Sequence, residues 1–100
     1  MKNVMILFNF PGMTSKQYDQ VWADLRAVGH SNPNGLLYHV GAPSADGWMV
    51  VDEWESEEHF RNFGATLMPI LEKNNIPVNE FAPTVLPVHY VYSHILAEHY

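Results

Sequence analysis

Six histidines are the most reactive side chains of this 100-residue chain, which contains no cysteine. His39 lies in a short apolar run that is typical of a β-strand, and Asp52 lies in the next such run. A carboxylate beside a histidine orients the ring and favours its cationic form, as a general base requires. The pair therefore predicts removal of a proton from an activated C–H or O–H group. The alternative is a hydrogen-bonded pair that stabilises a pocket wall or a dimer seam.

Whether His39 and Asp52 share a face depends on the turn between their two strands. A two-residue turn at 46–47 pairs His39 with Trp54, whereas a four-residue loop over 44–47 pairs it with Asp52. Both registers place the three side chains on one face, because side chains alternate along a strand. A loop of three or five residues would separate them.

Four further side chains are candidates for a binding site. Asn9, near the end of the first strand, could donate its amide to an oxyanion or satisfy backbone groups at the strand end. Trp54 and Trp48 could stack on an aromatic ligand or form part of the core. His89, in the last predicted strand, could reach a cavity, or could lie at an interface or in solvent.

Several function classes are excluded by composition and spacing. The formal net charge of −6 leaves no basic footprint for nucleic acid or an anionic membrane surface. The scattered glycines form no phosphate-binding loop, so no nucleotide cofactor is expected. His94 and His99 are five residues apart, which suits chelation from neither a helix nor a strand, and we expect no metal site. No apolar run approaches the ~20 residues of a membrane span, and the lack of cysteine is consistent with the cytoplasm.

The elements that must position these residues alternate in type. Thr14 and Gln17 have the spacing of a capping box, which predicts the start of a first helix, and Ser56 predicts the start of a second. Strands are predicted over 2–10, 36–41, 48–54 and 84–92. The order strand, helix, strand, strand, helix, strand is that of the ferredoxin-like α+β fold. We expect one domain over residues 1–92, followed by a tail at 93–100.

Helical spacing also predicts which side chains form the core. The first helix has an apolar stripe that favours core packing over a site, formed by Tyr18, Val21, Trp22, Leu25 and Val28. In the second helix, Pro69 predicts a kink or restart near 65–66. Pro87 predicts that the last strand lies at an edge or carries a bulge. Two helices cover only one face of four strands, so a second copy of the chain is expected to cover the other.

The segment 47–58 (GWMVVDEWESEE), followed by Phe60 and Phe63, resembles the dimeric α+β barrel superfamily, in particular its antibiotic-biosynthesis-monooxygenase-like branch. Members include cofactor-free oxygenases of polycyclic phenols, haem-degrading enzymes and polyketide cyclases. Asn9 resembles the pocket asparagine of the oxygenase and haem-degrading branches. The tryptophan of the haem-degrading branch is replaced by Phe63, and 64–75 lacks the histidine that this branch and the cyclases keep in their second helix. The resemblance therefore argues against haem degradation.

The resemblance implies a homodimeric barrel that binds a hydrophobic aromatic or polyketide-like molecule in a sheet-lined pocket. Its reaction class is cofactor-independent oxygenation or cyclisation. His39 with Asp52 would remove a proton, Asn9 would stabilise the enolate or phenolate, and Trp54 would stack on it. The alternative is a ligand-binding or accessory protein without chemistry, which uses the same cavity.

Overall fold

A computed structural model describes residues 3–77 and 83–92 of the chain. It contains β1 (Val4–Pro11), α1 (Ser15–Ala27), β2 (Leu36–Ser44), β3 (Gly47–Trp54), α2 (Glu57–Lys73) and β4 (Thr84–Pro87). The strands form one antiparallel sheet in the order β2-β3-β1-β4. This confirms the predicted ferredoxin-like α+β architecture. The predicted tail at 93–100 lies outside the described residues, together with His94 and His99.

Helix α1 begins at the position that its capping box predicts. The Thr14 hydroxyl accepts a hydrogen bond from the Gln17 backbone N–H at 3.1 Å, and the Gln17 side chain accepts one from the Thr14 N–H at 3.0 Å. Gly29 follows the helix with a φ of 78°, a left-handed conformation that glycine adopts without steric cost. Because the helix ends at Ala27, Val28 leaves the apolar stripe and is 57% exposed. Its predicted place in the core is wrong.

Helix α2 runs without a break from Glu57 to Lys73, so the predicted restart near 65–66 is wrong. The Ser56 hydroxyl caps its first turn by accepting from the His59 N–H at 3.1 Å. Pro69 removes one helical hydrogen bond, because it has no N–H. Ile70 and Leu71 directly after it are buried in the core, and this burial holds the last turn in place.

The β2–β3 hairpin has the register in which His39 lies opposite Asp52. This is the register predicted for the loop over 44–47, extended by one further pair between Ser44 and Gly47, so that the turn consists of 45–46. A Cβ on Gly47 would lie 2.2 Å from the Phe10 carbonyl oxygen, which requires glycine at this position. The close approach between β1 and the hairpin therefore fixes where the turn ends.

Strand β4 lies at the sheet edge, as Pro87 predicts, but it is shorter than the predicted span of 84–92. Pro87 pairs with Val4, the first residue of β1, so the pairing between β1 and β4 ends at this position. One further bond follows, from the Val88 N–H to the Asn3 carbonyl at 2.9 Å. Residues 88–92 then leave the sheet.

The two faces of the sheet differ in what covers them. The buried cluster lies between the sheet and the helices and consists of Phe10, Met13, Val21, Leu25, Trp48, Val50, Ile70, Leu71 and Ile76. The other side, called here the open face, presents Tyr38, Val40, Met49 and Leu86, which are 39%, 43%, 37% and 45% exposed. Within residues 3–77 and 83–92, no helix has the length and apolar character needed to cross a bilayer.

Candidate functional site

Four side chains on three elements form one continuous run of hydrogen bonds, called here the polar chain. His39 Nδ1 lies 2.6 Å from Asp52 Oδ1, and His39 Nε2 lies 2.6 Å from the Tyr18 hydroxyl. The Trp54 indole N–H donates to Asp52 Oδ2 at 3.2 Å. The polar chain therefore leads from α1 through β2 to two residues of β3.

The chemistry of these groups determines the direction of each hydrogen bond. An ionised carboxylate only accepts, and an indole N–H only donates. The Asp52 carboxylate can therefore accept from Trp54 on one oxygen and from the His39 Nδ1–H on the other. A neutral His39 then carries its lone pair on Nε2, where the Tyr18 hydroxyl donates. The tautomer of His39 follows from these partners.

The polar chain lies in the wall of an apolar cavity between the sheet and both helices, with a volume of about 60 Å³. The lining residues are Phe8, Phe10, Met13, Tyr18, Val21, Trp22, Leu25, Leu36, His39, Val50, Asp52, Trp54, Phe63, Leu67 and Leu71. Most of them are aliphatic or aromatic, so the hydroxyl, imidazole and carboxylate are concentrated at one part of the wall. This combination of an apolar pocket with a few convergent polar groups is typical of a small-molecule site.

A wider groove of about 500 Å³ adjoins the cavity along α2. The two spaces share Phe8, Phe10, Leu67 and Leu71 in their walls. A ligand larger than the cavity therefore has an apolar surface beside it on which the rest of the molecule can lie.

Aromatic side chains hold Tyr18 and His39 in place. Trp48 stacks on the Tyr18 ring with 4.8 Å between the ring centroids. Trp22 meets the His39 ring edge-on at 5.0 Å. Gly41 leaves room for the phenol, because a Cβ there would lie 2.7 Å from the Tyr18 hydroxyl oxygen. These contacts hold the Tyr18 hydroxyl within hydrogen-bond distance of His39.

Burial raises the pKa of Tyr18, and the charge of Asp52 acts in the same direction, although hydrogen bonding with Trp22 opposes both. A phenol whose pKa is raised from its ordinary value of 10.0 keeps its proton at neutral pH. Tyr18 is therefore the donor in its hydrogen bond to His39 in the resting protein.

Tyr18 is the site residue that the sequence does not reveal. Its place in the α1 stripe predicts core packing, and it does line the core side of the sheet. Helical spacing carries no information about the strand that the hydroxyl meets. The only local signal is Gly41, which lies two residues after His39 and hence on the same face of β2. The role of Gly41 becomes clear only when α1 brings Tyr18 against it.

The two tryptophans that the sequence indicates as ligand-stacking residues are both buried. Trp54 is 1% exposed, lines the cavity and packs against Phe60 and Phe63 at 5.8 and 5.5 Å. Trp48 is 8% exposed and lies in the core cluster behind Tyr18. Within the described part of the chain, the indole nitrogen of Trp48 has no hydrogen-bond partner.

Asn9 and His89 are not brought together with the polar chain. Phe8 and Phe10 line the cavity, so Asn9 between them points to the open face, where it lies opposite Met49. His89 lies beyond the end of β4, beside a groove that includes Tyr38 and Leu86 of the open face. The alternation of side chains along β1 thus separates Asn9 from His39 and Asp52, with which it was expected to act.

Metal-ligating side chains do not cluster in the described ranges: residues 3–77 and 83–92 contain no group of three or more His, Asp or Glu that could hold an ion. The polar chain has one histidine and one carboxylate, and each is already hydrogen-bonded to another member of the polar chain. Its donors and acceptors are paired with one another.

Solved structures share this architecture. SnoaB, a cofactor-independent oxygenase from Streptomyces nogalater, aligns with a TM-score of 0.59 at 13% identity, over 95% of this chain and 99% of SnoaB. A Deinococcus radiodurans protein described as an antibiotic biosynthesis monooxygenase aligns with a TM-score of 0.57 at 10% identity, over 92% of this chain and 98% of the other. A monooxygenase from the gene ActVA-Orf6 of Streptomyces coelicolor, in complex with nanaomycin D, aligns with a TM-score of 0.50 at 20% identity, over 94% of this chain and 91% of the other.

At these identities the likeness concerns the fold. No family model matches the chain, and no curated protein matches it by sequence. The chain has the fold of the antibiotic-biosynthesis-monooxygenase-like proteins, as the resemblance over 47–63 implies.

Proposed function

We propose that this protein is a cofactor-independent, monooxygenase-like enzyme whose substrate is a hydrophobic molecule with an activated C–H or O–H group. The observation that carries the proposal is the polar chain in the wall of an apolar cavity, with His39 held between Asp52 and Tyr18. A half-buried imidazole with its Nδ1–H fixed by a carboxylate has the arrangement of a general base. The fold shared with a cofactor-independent oxygenase supports the reaction class.

The proposed chemistry begins with proton transfer from the substrate into the polar chain. The electron pair of the broken C–H bond remains on the substrate as an enolate, and the proton ends on His39 Nε2. The imidazolium is then paired with the Asp52 carboxylate at 2.6 Å, which stabilises the charge separation. The enolate carbon reacts directly with O₂ to give a peroxide anion, which takes the proton back from the polar chain and leaves His39 neutral again. Loss of water from the hydroperoxide then converts CH₂ into C=O.

The size of the cavity limits which part of a substrate it can hold. A space of about 60 Å³ accepts only the reacting edge of a polycyclic molecule. The remaining rings would lie in the adjoining groove, against Phe8, Phe10 and Leu67. We therefore favour a planar aromatic ketone or phenol with its acidic position at one edge.

Oxygen uptake with anthrone tests this function. Wild-type protein is expected to accelerate the conversion of anthrone and O₂ to anthraquinone and water above the rate in buffer. His39→Asn retains a donor toward Asp52 but has no base, so the protein-dependent rate should fall by about 10²–10⁴-fold. An oxygen electrode and the quinone absorbance report the rate.

His59→Asn is the matched control for this experiment. His59 is hydrogen-bonded to Ser56 at the start of α2 and does not line the cavity, so this variant should keep the wild-type rate. Anthrone that binds wild type and His39→Asn equally, without oxygen uptake in either, would instead favour a ligand-binding protein without chemistry.

We also propose that two copies of the chain associate through their open faces. Tyr38, Val40, Met49 and Leu86 form an exposed apolar surface across three of the four strands. Monomers rarely leave such a patch in water. Two sheets packed face to face would cover it, while the cavity stays on the helical side of each copy.

Sedimentation velocity tests the association with two matched methionine variants. Wild type is expected to sediment as twice the chain mass of 11.4 kDa. Met49→Lys places a charge in the middle of the open face and should give the single-chain mass. Met68→Lys changes a methionine of similar exposure on α2 and should remain a dimer. A wild-type protein that sediments as one chain contradicts the proposal.

A further inference from the structure

We infer that Tyr18 is the catalytic residue that touches the substrate, and that its phenol oxygen takes the substrate proton while its own proton passes to His39. This inference rests on the proposed function and assigns the contact atom within it. The sequence places Tyr18 among core-packing residues, whereas the structure brings its hydroxyl to His39.

Both ring nitrogens of His39 are engaged in hydrogen bonds. Its Nδ1 lies 2.6 Å from Asp52 and its Nε2 lies 2.6 Å from the Tyr18 hydroxyl. A neutral imidazole has one N–H, which donates to Asp52, and one lone pair, which accepts from Tyr18. A substrate therefore cannot approach the basic nitrogen of His39 without displacing the phenol. The hydroxyl of Tyr18 is the next group along the polar chain, and Tyr18 lines the cavity.

The proton balance of the step is closed. The Tyr18 O–H bond breaks toward His39 Nε2, and a new O–H bond forms between the phenol oxygen and the proton that leaves the substrate. His39 becomes an imidazolium that faces the Asp52 carboxylate, and the electron pair stays on the substrate. Tyr18 ends the step neutral and can donate a hydrogen bond to the new enolate oxygen or carbon.

Gly41 is a positioning residue for this phenol. A Cβ at Gly41 would lie 2.7 Å from the hydroxyl oxygen and 2.7 Å from Cζ of Tyr18. Trp48 stacks on the ring and restricts its movement. A methyl group at position 41 would therefore push the hydroxyl away from His39, while the His39–Asp52 pair on β2 and β3 stays in register.

Covalent labelling with phenylmethanesulfonyl fluoride tests the inference without a known substrate. The phenol oxygen attacks sulfur, the O–S bond forms, fluoride leaves, and the phenol proton goes to His39. Peptide mass spectrometry over time gives the rate at each tyrosine. Tyr18 is expected to react roughly 10²-fold faster than Tyr90, which is 79% exposed and serves as the internal reference.

Three variants define the result. His39→Asn should abolish the advantage of Tyr18 over Tyr90, because the base is gone. Gly41→Ala should reduce it at least about 10-fold, since general-base assistance requires hydrogen-bond distance. Ala42→Val changes the neighbouring residue, which is exposed on the open face, and should leave it unchanged.

Sulfonylation of His39 in wild type, or a Tyr18 rate no higher than that of Tyr90, overturns the inference. The labelling does not depend on turnover, so it separates this inference from the proposed function. Anthrone oxidation that survives Tyr18→Phe would overturn the role of Tyr18 and leave the enzyme assignment intact. Fast labelling without anthrone oxidation would retain the activated phenol and overturn the assigned substrate class.

Discussion

Trp54→Ala is expected to lower the free energy of unfolding by about 3–5 kcal/mol, a large share of the about 5–15 kcal/mol that stabilises a domain of this size. Trp54 is 1% exposed and is one of the largest side chains that are fully buried in the described structure. Its ring packs against Phe60 and Phe63 of α2, and its N–H donates to Asp52. Truncation leaves a cavity between β3 and α2 and an unfilled acceptor on the carboxylate.

Urea denaturation followed by circular dichroism measures this effect. Val28→Ala is the control, because Val28 is 57% exposed after α1 and its truncation should change stability by less than about 0.5 kcal/mol. Trp54→Phe should lie between the two, since it keeps the aromatic contact and loses the donor. A loss below about 1 kcal/mol for Trp54→Ala would show that this side chain is not part of the core.

Trp54→Ala does not distinguish a ligand-stacking role of Trp54 from a structural one. Loss of ligand binding in Trp54→Ala would agree with the stacking role that the sequence offers for Trp54. With Trp54 buried, the same loss would follow from unfolding. Trp22, which lines the cavity and is only partly buried, is the better position for a stacking test.

Asp52→Asn is expected to reduce anthrone oxidation by about 10²–10⁴-fold, because it disturbs the tautomer of His39. The amide offers one acceptor oxygen, whereas both the His39 Nδ1–H and the Trp54 N–H require an acceptor. If the oxygen turns to Trp54, the NH₂ group faces Nδ1, and the ring proton moves to Nε2. Nε2 then cannot accept the phenol proton of Tyr18.

Two measurements separate this effect from simple destabilisation. Nitrogen-15 spectra should show His39 in the Nδ1–H form in wild type and in the Nε2–H form in Asp52→Asn. The free energy of unfolding should fall by about 1–3 kcal/mol, as expected for one unsatisfied buried group. Glu53→Gln changes the adjacent carboxylate, which accepts from Asn3 at 3.1 Å on the other face, and should leave the tautomer unchanged. An unchanged tautomer in Asp52→Asn would contradict the proton arrangement of the polar chain.

The order and type of the helices and strands could be predicted from local signals in the sequence. Capping residues such as Thr14 and Ser56 act within one turn of chain, so their effect can be predicted locally. The fold follows from that order, and the period-two alternation of strands placed His39, Asp52 and Trp54 on one face in either of two registers. The likeness to the monooxygenase-like structures confirms the fold that the segment 47–63 implied.

Which side chains meet across elements depends on how the helices and strands pack together. The hairpin register depended on where Gly47 passes the backbone of β1, a contact between distant segments. The same alternation that joined His39 to Asp52 sent Asn9 to the open face, because Phe8 and Phe10 fill the core. Tyr18 reached His39 because α1 lies across β2 at Gly41. Helix placement over a sheet is set by the packing of many side chains together, and no local pattern in the sequence records it.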